Sequence, residues 1–446
     1  MSHPARRRTT SVSAGVLGSV ALTVAALAAF MPAARAEPAT PVVYRSNSSA
    51  TLARGLGFDT CSAPSLAALR AWRSSSYRTV NVYFGGISRA CGQPNLNSNW
   101  VVEAARMSWR LLPTYVGRQP PCVIGARAHR YTASSAASYG ASEATDAVAK
   151  ARSLGMRGGS TLYADIEHYD RSDPACITAV RRYVSAWTKT LHANGYLSGV
   201  YVHQNSGLRD LSASYNSTTY ARPDAVWVAR WDSNPALSGW PTAPNSQWSF
   251  HQRAKQYRGD HYESWSGVRL YIDSDSLNAP VATIALPYRV TSAVSLNARS
   301  GPSTSHPIVA KYSSGAAVSL ICQTAGMKIG STRVWDRLST GAWVSDHYVS
   351  TPSKTTYSAP LQKCNYPGQV TSSAPLNART GPGTSYPTSG SPLQPGALAW
   401  VVCQKVGTKI ETTNAWDRID DGRWVSDFYV SNRSNATWSP PVPRCL

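Results

Sequence analysis

The chain repeats itself over residues 287–446, and the repeat keeps its cysteines in step. The stretch VTSAVSLNARSGP from Val290 returns as VTSSAPLNARTGP from Val370, 80 residues later. VWDRL from Val334 returns as AWDRI from Ala415, and GAWVSD from Gly341 as GRWVSD from Gly422, now at an offset of 81. Each copy carries two cysteines 42 residues apart, Cys322 with Cys364 and Cys403 with Cys445. Equal spacing inside each copy predicts one bridge per copy. A unit this small buries a limited core, so a bridge of that span is a substantial staple, about 3–4 kcal/mol in the chain-entropy model. Short β-prone runs such as VSLIC from Val318 and AWVVC from Ala399, punctuated by Gly-Pro, Pro-Gly and Ser-Gly pairs, predict small all-β modules over 287–364 and 365–446.

The motifs Leu-Asn-Ala-Arg-Ser/Thr-Gly-Pro, Trp-Asp-Arg and Gly-x-Trp-Val-Ser, in that order, resemble bacterial SH3 domains. The resemblance implies two SH3-like barrels that attach an exported protein to cell-wall peptides. The cysteine pair is extra to the commonest version. Trp335, Trp343, Trp416 and Trp424 are either a binding groove or barrel core, and repeated tryptophans are more often core.

The start of the chain reads as an export signal over 1–36. Arg6, Arg7 and Arg8 precede an apolar run from Val16 to Phe30, and Ala34-Arg35-Ala36 offers a cleavage site. Thr9-Thr10-Ser11-Val12 lacks the apolar follow-up of a twin-arginine signal, which favours the general secretory route. A retained N-terminal anchor is the alternative, but the run is shorter than the roughly 20 residues that span a bilayer. A secreted, extracellular or wall-associated protein is expected, with no membrane contact once the signal is removed. Eight cysteines with no C-x-x-C pair fit disulfides in an oxidising compartment and exclude zinc-ribbon or thioredoxin chemistry.

The net charge is +21, and +17 remains after residue 36, divided as +9 over 37–286 and +8 over 287–446. Such a chain favours anionic partners: peptidoglycan or an associated anionic polymer. No block of five or six Lys/Arg marks a nucleic-acid arm, so nucleic acid is not expected.

After a linker over 37–51, residues 52–286 alternate β-prone and helical stretches. Strands are predicted at 56–60, 79–84, 110–116, 161–166, 197–202, 225–231, 254–257 and 269–272, and helices at 64–72, 100–107, 142–154 and 174–194. Pro64 and Pro174 suit first turns, Gly155 and Gly195 C-terminal caps. The fold class is α/β: a (β/α)8 TIM-like barrel followed by the two β modules. Cys61 and Cys91 lie just beyond strands one and two, Cys122 and Cys176 beyond strands three and four. Neighbouring parallel strands would place those loops side by side, which predicts Cys61–Cys91 and Cys122–Cys176.

Acids gather at the same strand ends: Asp59 on strand one, Asp165 and Glu167 on strand four, Asp232 after strand six, Asp273 and Asp275 after strand eight. Barrel enzymes place their chemistry at this end. Glycoside cleavage needs one carboxyl group that stays protonated to serve the leaving oxygen and another that is ionised to stabilise or attack the sugar. Crowding separates such pKa values. Glu167 is the candidate acid and Asp165 its stabilising partner, supported by Asp59 and Asp273. Tyr83, Tyr163, Tyr201, Trp231, Asp232, Gln256 and Asp275 are candidates for holding substrate; Trp227 is as well explained by packing. His168 and His203 have no metal-binding spacing, so neither a metal nor another cofactor is expected.

GLGFD ending at Asp59, YADIE from Tyr163, VWVARWD ending at Asp232, KQY from Lys255 and YIDSD from Tyr271 occur in that order. They resemble exported glycoside-hydrolase-like domains of actinobacteria, formerly of unknown function, and more distantly family 25 muramidases, which cut peptidoglycan glycan. The resemblance covers about residues 52–280 and implies that the strand-four Asp-x-Glu carries the acid and its partner. Chitinase-type barrels are disfavoured, because the longer Asp-x-x-Asp-x-Asp-x-Glu series is missing before Asp165. Two further readings remain: a hydrolase-like barrel that binds wall glycan without turnover, and an exported nuclease, which would need metal-binding acids.

Overall fold

A computed structural model describes Tyr44, residues 48–125, 129–431, Ser434 and 438–446. The export signal, and the 37–51 stretch apart from Tyr44 and 48–51, lie outside the described residues. Among the described residues, no helix is long and apolar enough to cross a membrane.

Eight strands close into a barrel in chain order: β1 (Thr51–Asp59), β2 (Thr79–Gly85), β3 (Arg110–Tyr115), β4 (Thr161–Ile166), β5 (Leu197–His203), β6 (Ala225–Ala229), β7 (Arg253–Trp265) and β8 (Val268–Val281). Helices α1 (Leu66–Trp72), α2 (Ser98–Arg106), α3 (Ala136–Ser153) and α4 (Pro174–Ala193) follow the first four strands, and a short α5 (Arg209–Ala213) follows β5. Their starts are written locally. Ser65, Asn97 and Asp173 cap α1, α2 and α4 by accepting from the amides of Ala68, Trp100 and Ala175. Pro174 occupies the first turn of α4, whereas Pro64 stands ahead of the cap of α1 and outside the helix. Gly155 and Gly195, with φ of +83° and +77°, supply the left-handed residue just after α3 and α4.

The last two strands depart from the expected (β/α)8 pattern. β8 runs antiparallel to both β7 and β1. The two long strands form a hairpin whose turn residues, Ser266 and Gly267, have φ of +44° and +78°, the signs a two-residue primed turn requires. Asp273 and Asp275 therefore lie inside β8, not beyond its end. Because β8 is reversed, they still reach the carboxyl end of the barrel: Asp273 pairs in register with Asp59, and Asp275 with Gly57.

The first β module is built from β9 (Leu286–Arg289), β10 (Leu296–Arg299), β11 (Ile308–Tyr312), β12 (Ala317–Ile329), β13 (Thr332–Leu338), β14 (Trp343–Ser345) and β15 (Gln362–Lys363). The second is built from β16 (Tyr366–Gln369), β17 (Leu398–Ile410), β18 (Thr413–Ile419) and β19 (Trp424–Ser426). Trp335, Trp343 and Trp416 are buried core, and Trp424 is half-buried. All four expected disulfides are present: Cys61–Cys91, Cys122–Cys176, Cys322–Cys364 and Cys403–Cys445.

Both modules pack directly on the amino end of the barrel. Gln362 exchanges two hydrogen bonds with the backbone of Leu52, at 3.1 and 2.8 Å. The indole of Trp400 donates to the Phe250 carbonyl, and Arg54 pairs with Asp420 at 2.6 Å. Of the 37–51 stretch, Tyr44, Ser49 and Ala50 are buried, and Ala50 donates its amide to the Asn365 carbonyl. These residues behave as part of the packed body, not as a solvated linker.

Candidate active site

At the carboxyl end of the barrel a cavity of about 270 Å³ is lined by Asp59, Tyr83, Gln119, Asp165, Glu167, Asp260, Tyr271 and Asp273, with the Cys61–Cys91 bridge on its wall. The four expected catalytic acids thus meet in one place. Their positions follow from strand ends: Asp59 closes β1, Asp165 and Glu167 straddle the end of β4, and Asp273 arrives on the reversed β8.

Gln256, on β7, is the organising side chain. Its amide nitrogen donates to Asp59 Oδ2 at 2.9 Å and to Asp273 Oδ2 at 3.1 Å. Its oxygen accepts from Tyr201 at 3.0 Å and from the Trp231 indole at 2.8 Å. Those four bonds use its donors and acceptor lone pairs, and the residue is buried. Gln256 positions the acids; it has no polar group left for substrate, contrary to its expected role. Tyr83 donates to Asp59 Oδ1 at 2.9 Å and lines the cavity. Tyr201 rests on the Trp227 ring, centroids 4.5 Å apart, and Trp227 is buried packing.

Burial and the Asp273 charge push Asp59 up to about 7, against the lowering effect of the Gln256 and Tyr83 hydrogen bonds. Asp273 is raised as well, first by burial. Asp275 is pushed well up by burial and by the charge of Asp59. Crowding and burial thus favour the protonated form in this coupled set of carboxyl groups, of which Asp59 and Asp273 face the cavity. Burial and the charges of Asp59 and Asp165 also push the Tyr83 phenol well up, so it stays neutral as a donor.

Three further expectations fail, each for a physical reason. Tyr163 is fully buried and donates to the Pro280 carbonyl at 2.8 Å. Two residues before Asp165 on the same strand face, it lies one layer deeper, where barrel interiors are filled. Asp275 is sealed in the core and accepts from the Trp227 indole at 2.9 Å. Asp232 is bound by Lys255 at 2.6 Å and Arg230 at 2.6 Å, away from the cavity. Tyr163 and Asp275 are sealed from the mouth, and Asp232 is exposed but stands outside the residues that line the cavity. Trp231 is 57% exposed while its indole is anchored to Gln256, and its ring stands outside the residues that line the cavity.

Gln119 and Asp260 escaped the sequence reading. Gln119, fully buried, donates to the Asp165 carbonyl and accepts from the Glu167 amide, both at 2.9 Å. It clamps the backbone on either side of Ile166 and so sets the aim of both acids. Asp260, on the β7–β8 hairpin, donates its amide to Asp273 and accepts from the Tyr271 hydroxyl at 3.0 Å. The Ser266-Gly267 pair was the available hairpin signal; Gln119 sits in a loop and carries none. His168 and His203 stack with centroids 4.1 Å apart, and His168 hydrogen-bonds Ser206. Among the described residues, no three His, Cys, Asp or Glu side chains are grouped to hold a metal.

No curated protein matches the chain. Among solved structures, an uncharacterized B. stearothermophilus protein is 18% identical, with 50% of this chain and 95% of that one covered and a TM-score of 0.34. The Mycobacterium tuberculosis Tat-secreted protein Rv2525c is 14% identical, covering 50% and 96%, with a TM-score of 0.35. A muramidase from Acremonium alcalophilum is 18% identical, covering 51% and 94%, with a TM-score of 0.30. Residues 70–277, from α1 into β8, match the family model of the Rv2525c-like, glycoside hydrolase-like domain.

Proposed function

We propose that this is an exported, cell-wall-directed glycoside hydrolase that cleaves peptidoglycan-type amino-sugar glycan at the barrel mouth. The observation that carries the reading is the convergence of Asp59, Asp165, Glu167 and Asp273 on one cavity, within a barrel matching a glycoside hydrolase-like model over 70–277. Glu167 delivers the proton to the leaving oxygen, and Asp165 stabilises the developing positive charge on the sugar. Burial and crowding favour protonation at Asp59 and Asp273, which keeps the mouth from accumulating excess negative charge. Trp231 offers a flat apolar face to a sugar ring. The two β modules act as SH3-like wall anchors, and a rigidly attached anchor raises the local substrate concentration. Release of reducing ends from purified peptidoglycan tests the assignment: Glu167→Gln should lose most of the activity while keeping its fold.

One observation favours a second reading, a barrel that binds wall glycan without turnover. Asp59 and Asp165 are only 4% and 6% exposed, so two of the four acids are nearly sealed. Tight glycan binding with no reducing ends released over a broad substrate panel would select it.

A further inference from the structure

A second cavity lies at the other end of the barrel. It measures about 790 Å³ and opens between the amino ends of the barrel strands and both β modules. Six cationic side chains line it: Arg54, Arg78, Arg110, Lys363, Arg418 and Arg444. The single acidic side chain in the lining, Asp420, is already bound to Arg54 at 2.6 Å and His251 at 3.2 Å. Among the described residues, no ion pair joins the other five to a carboxylate.

Three separate parts of the chain build this lining. From the barrel come Arg54 on β1, Arg78 just before β2 and Arg110 at the start of β3, one arginine from each of three neighbouring strands. Backbone carbonyls aim two of them: Arg78 donates to Ser75 and Tyr77 at 2.7 and 2.6 Å, and Arg110 to Pro360 at 3.2 Å. From the repeat come Lys363 and Arg444, which occupy the same place in their copies, the residue before the second cysteine. The backbone pairing is equivalent as well: Lys363 pairs in parallel with Gln323, and Arg444 with Gln404. The repeat thus delivers a cation twice, at a disulfide-stapled position, into one cavity. Like charges gathered this way cost free energy unless an anion joins them; Arg110 is pushed down to about 10 by burial and the charge of Arg73.

We propose that this cavity is a second ligand site, independent of the barrel mouth, for a linear phosphodiester polyanion. Five of the six cations are arginines, whose planar forks suit phosphate oxygens. Their spread around the cavity suits a chain of charges better than one ion. A phosphodiester carries its charge in the backbone, one per repeat, so successive charges follow the path of the chain across the cavity. Tyr357 is the one aromatic ring in the lining, and the Lys363 ammonium already lies 5.0 Å from its centre. Bases would find no stacking platform, which favours a polyol phosphate chain over nucleic acid.

The test is calorimetric titration of the full chain with a poly(glycerol phosphate) oligomer, beside an oligoglutamate and an oligothymidylate of equal charge. The variant Lys363→Gln/Arg418→Gln/Arg444→Gln changes three exposed side chains, and its unfolding midpoint checks the fold. The glycerol phosphate oligomer should bind the unaltered chain, weaken with added salt, and lose about tenfold or more in affinity in the triple variant. It should also bind at least about tenfold more tightly than the oligoglutamate. Equal affinity in a folded triple variant would remove the site. Equal or tighter binding of the oligoglutamate would overturn the phosphate assignment, and tighter binding of oligothymidylate the exclusion of bases.

Discussion

The same small device occurs in the barrel mouth and in both modules: a glutamine amide shared by two aspartates. In the barrel Gln256 joins Asp59 to Asp273. In the first module Gln323 donates to Asp336 at 2.7 Å and Asp346 at 3.0 Å. In the second, Gln404 donates to Asp417 at 2.6 Å and Asp427 at 2.9 Å. The electrostatics agree too. Burial, followed by the partner's charge, pushes Asp336 and Asp417 well up, as burial and Asp273 push up Asp59. The difference is access. The module aspartates are fully buried and tie β12 or β17 to the strand and turn beside it. Asp59 and Asp273 instead face a cavity that also holds Glu167 and Asp165. Paired acids with raised pKa values are therefore a structural motif in this chain, and only their exposure to a cavity makes them candidates for chemistry.

The comparison can be broken in several ways. The largest effect is expected at Glu167, which has no counterpart in the modules. Glu167→Gln should lower the rate of reducing-end release about 10²–10⁴-fold, the usual contribution of a general acid. Next comes Asp59→Asn, read by denaturant unfolding across pH. The folded Asp59 holds its proton up to about 7 against an ordinary 3.8, so its contribution is fully present below 3.8 and is lost as pH rises through 7. The amide keeps the neutral form, so the variant should match the parent near pH 3 and exceed it at pH 8, by up to about 4 kcal/mol. An equal gap at both pH values would show that Asp59 titrates normally. Cys403→Ser with Cys445→Ser removes the staple of the second module and should cost about 3 kcal/mol in that module's unfolding. Trp231→Ala should raise KM roughly tenfold with a smaller change in kcat, if its exposed face holds a sugar ring. The smallest effect on activity belongs to Asp417→Asn. It should leave turnover unchanged and stabilise the chain only above the ordinary carboxylate range, because the buried charge that costs stability there is gone.

Much of this was legible in the sequence, for reasons that can be named. The repeat and its equal cysteine spacing identify the module bridges, and strand-end cysteines identify the two in the barrel. Acids at strand ends point to the mouth because a closed barrel brings those ends together. The direction of β8 was hidden. Its outer half and that of β7 alternate exposed and half-buried residues, so neither resembles an apolar core strand, and Ser266-Gly267 passes for an ordinary loop. Burial along a strand axis was hidden as well: alternation puts Tyr163, Asp165 and Glu167 on one side without saying which layer is filled. The roles of Gln119 and Gln256 were hidden too, because an amide's role depends on which groups meet it in space, and no period or spacing encodes that.

The most direct measurement is reducing-end release from purified peptidoglycan by the parent, Glu167→Gln and Asp417→Asn side by side, each checked for its unfolding midpoint. If the open acid cluster does the chemistry and the sealed ones only hold the modules together, the parent and Asp417→Asn turn over alike and Glu167→Gln falls at least about 100-fold. Turnover by Glu167→Gln equal to the parent, or no turnover by any of them, would contradict catalysis at the barrel mouth.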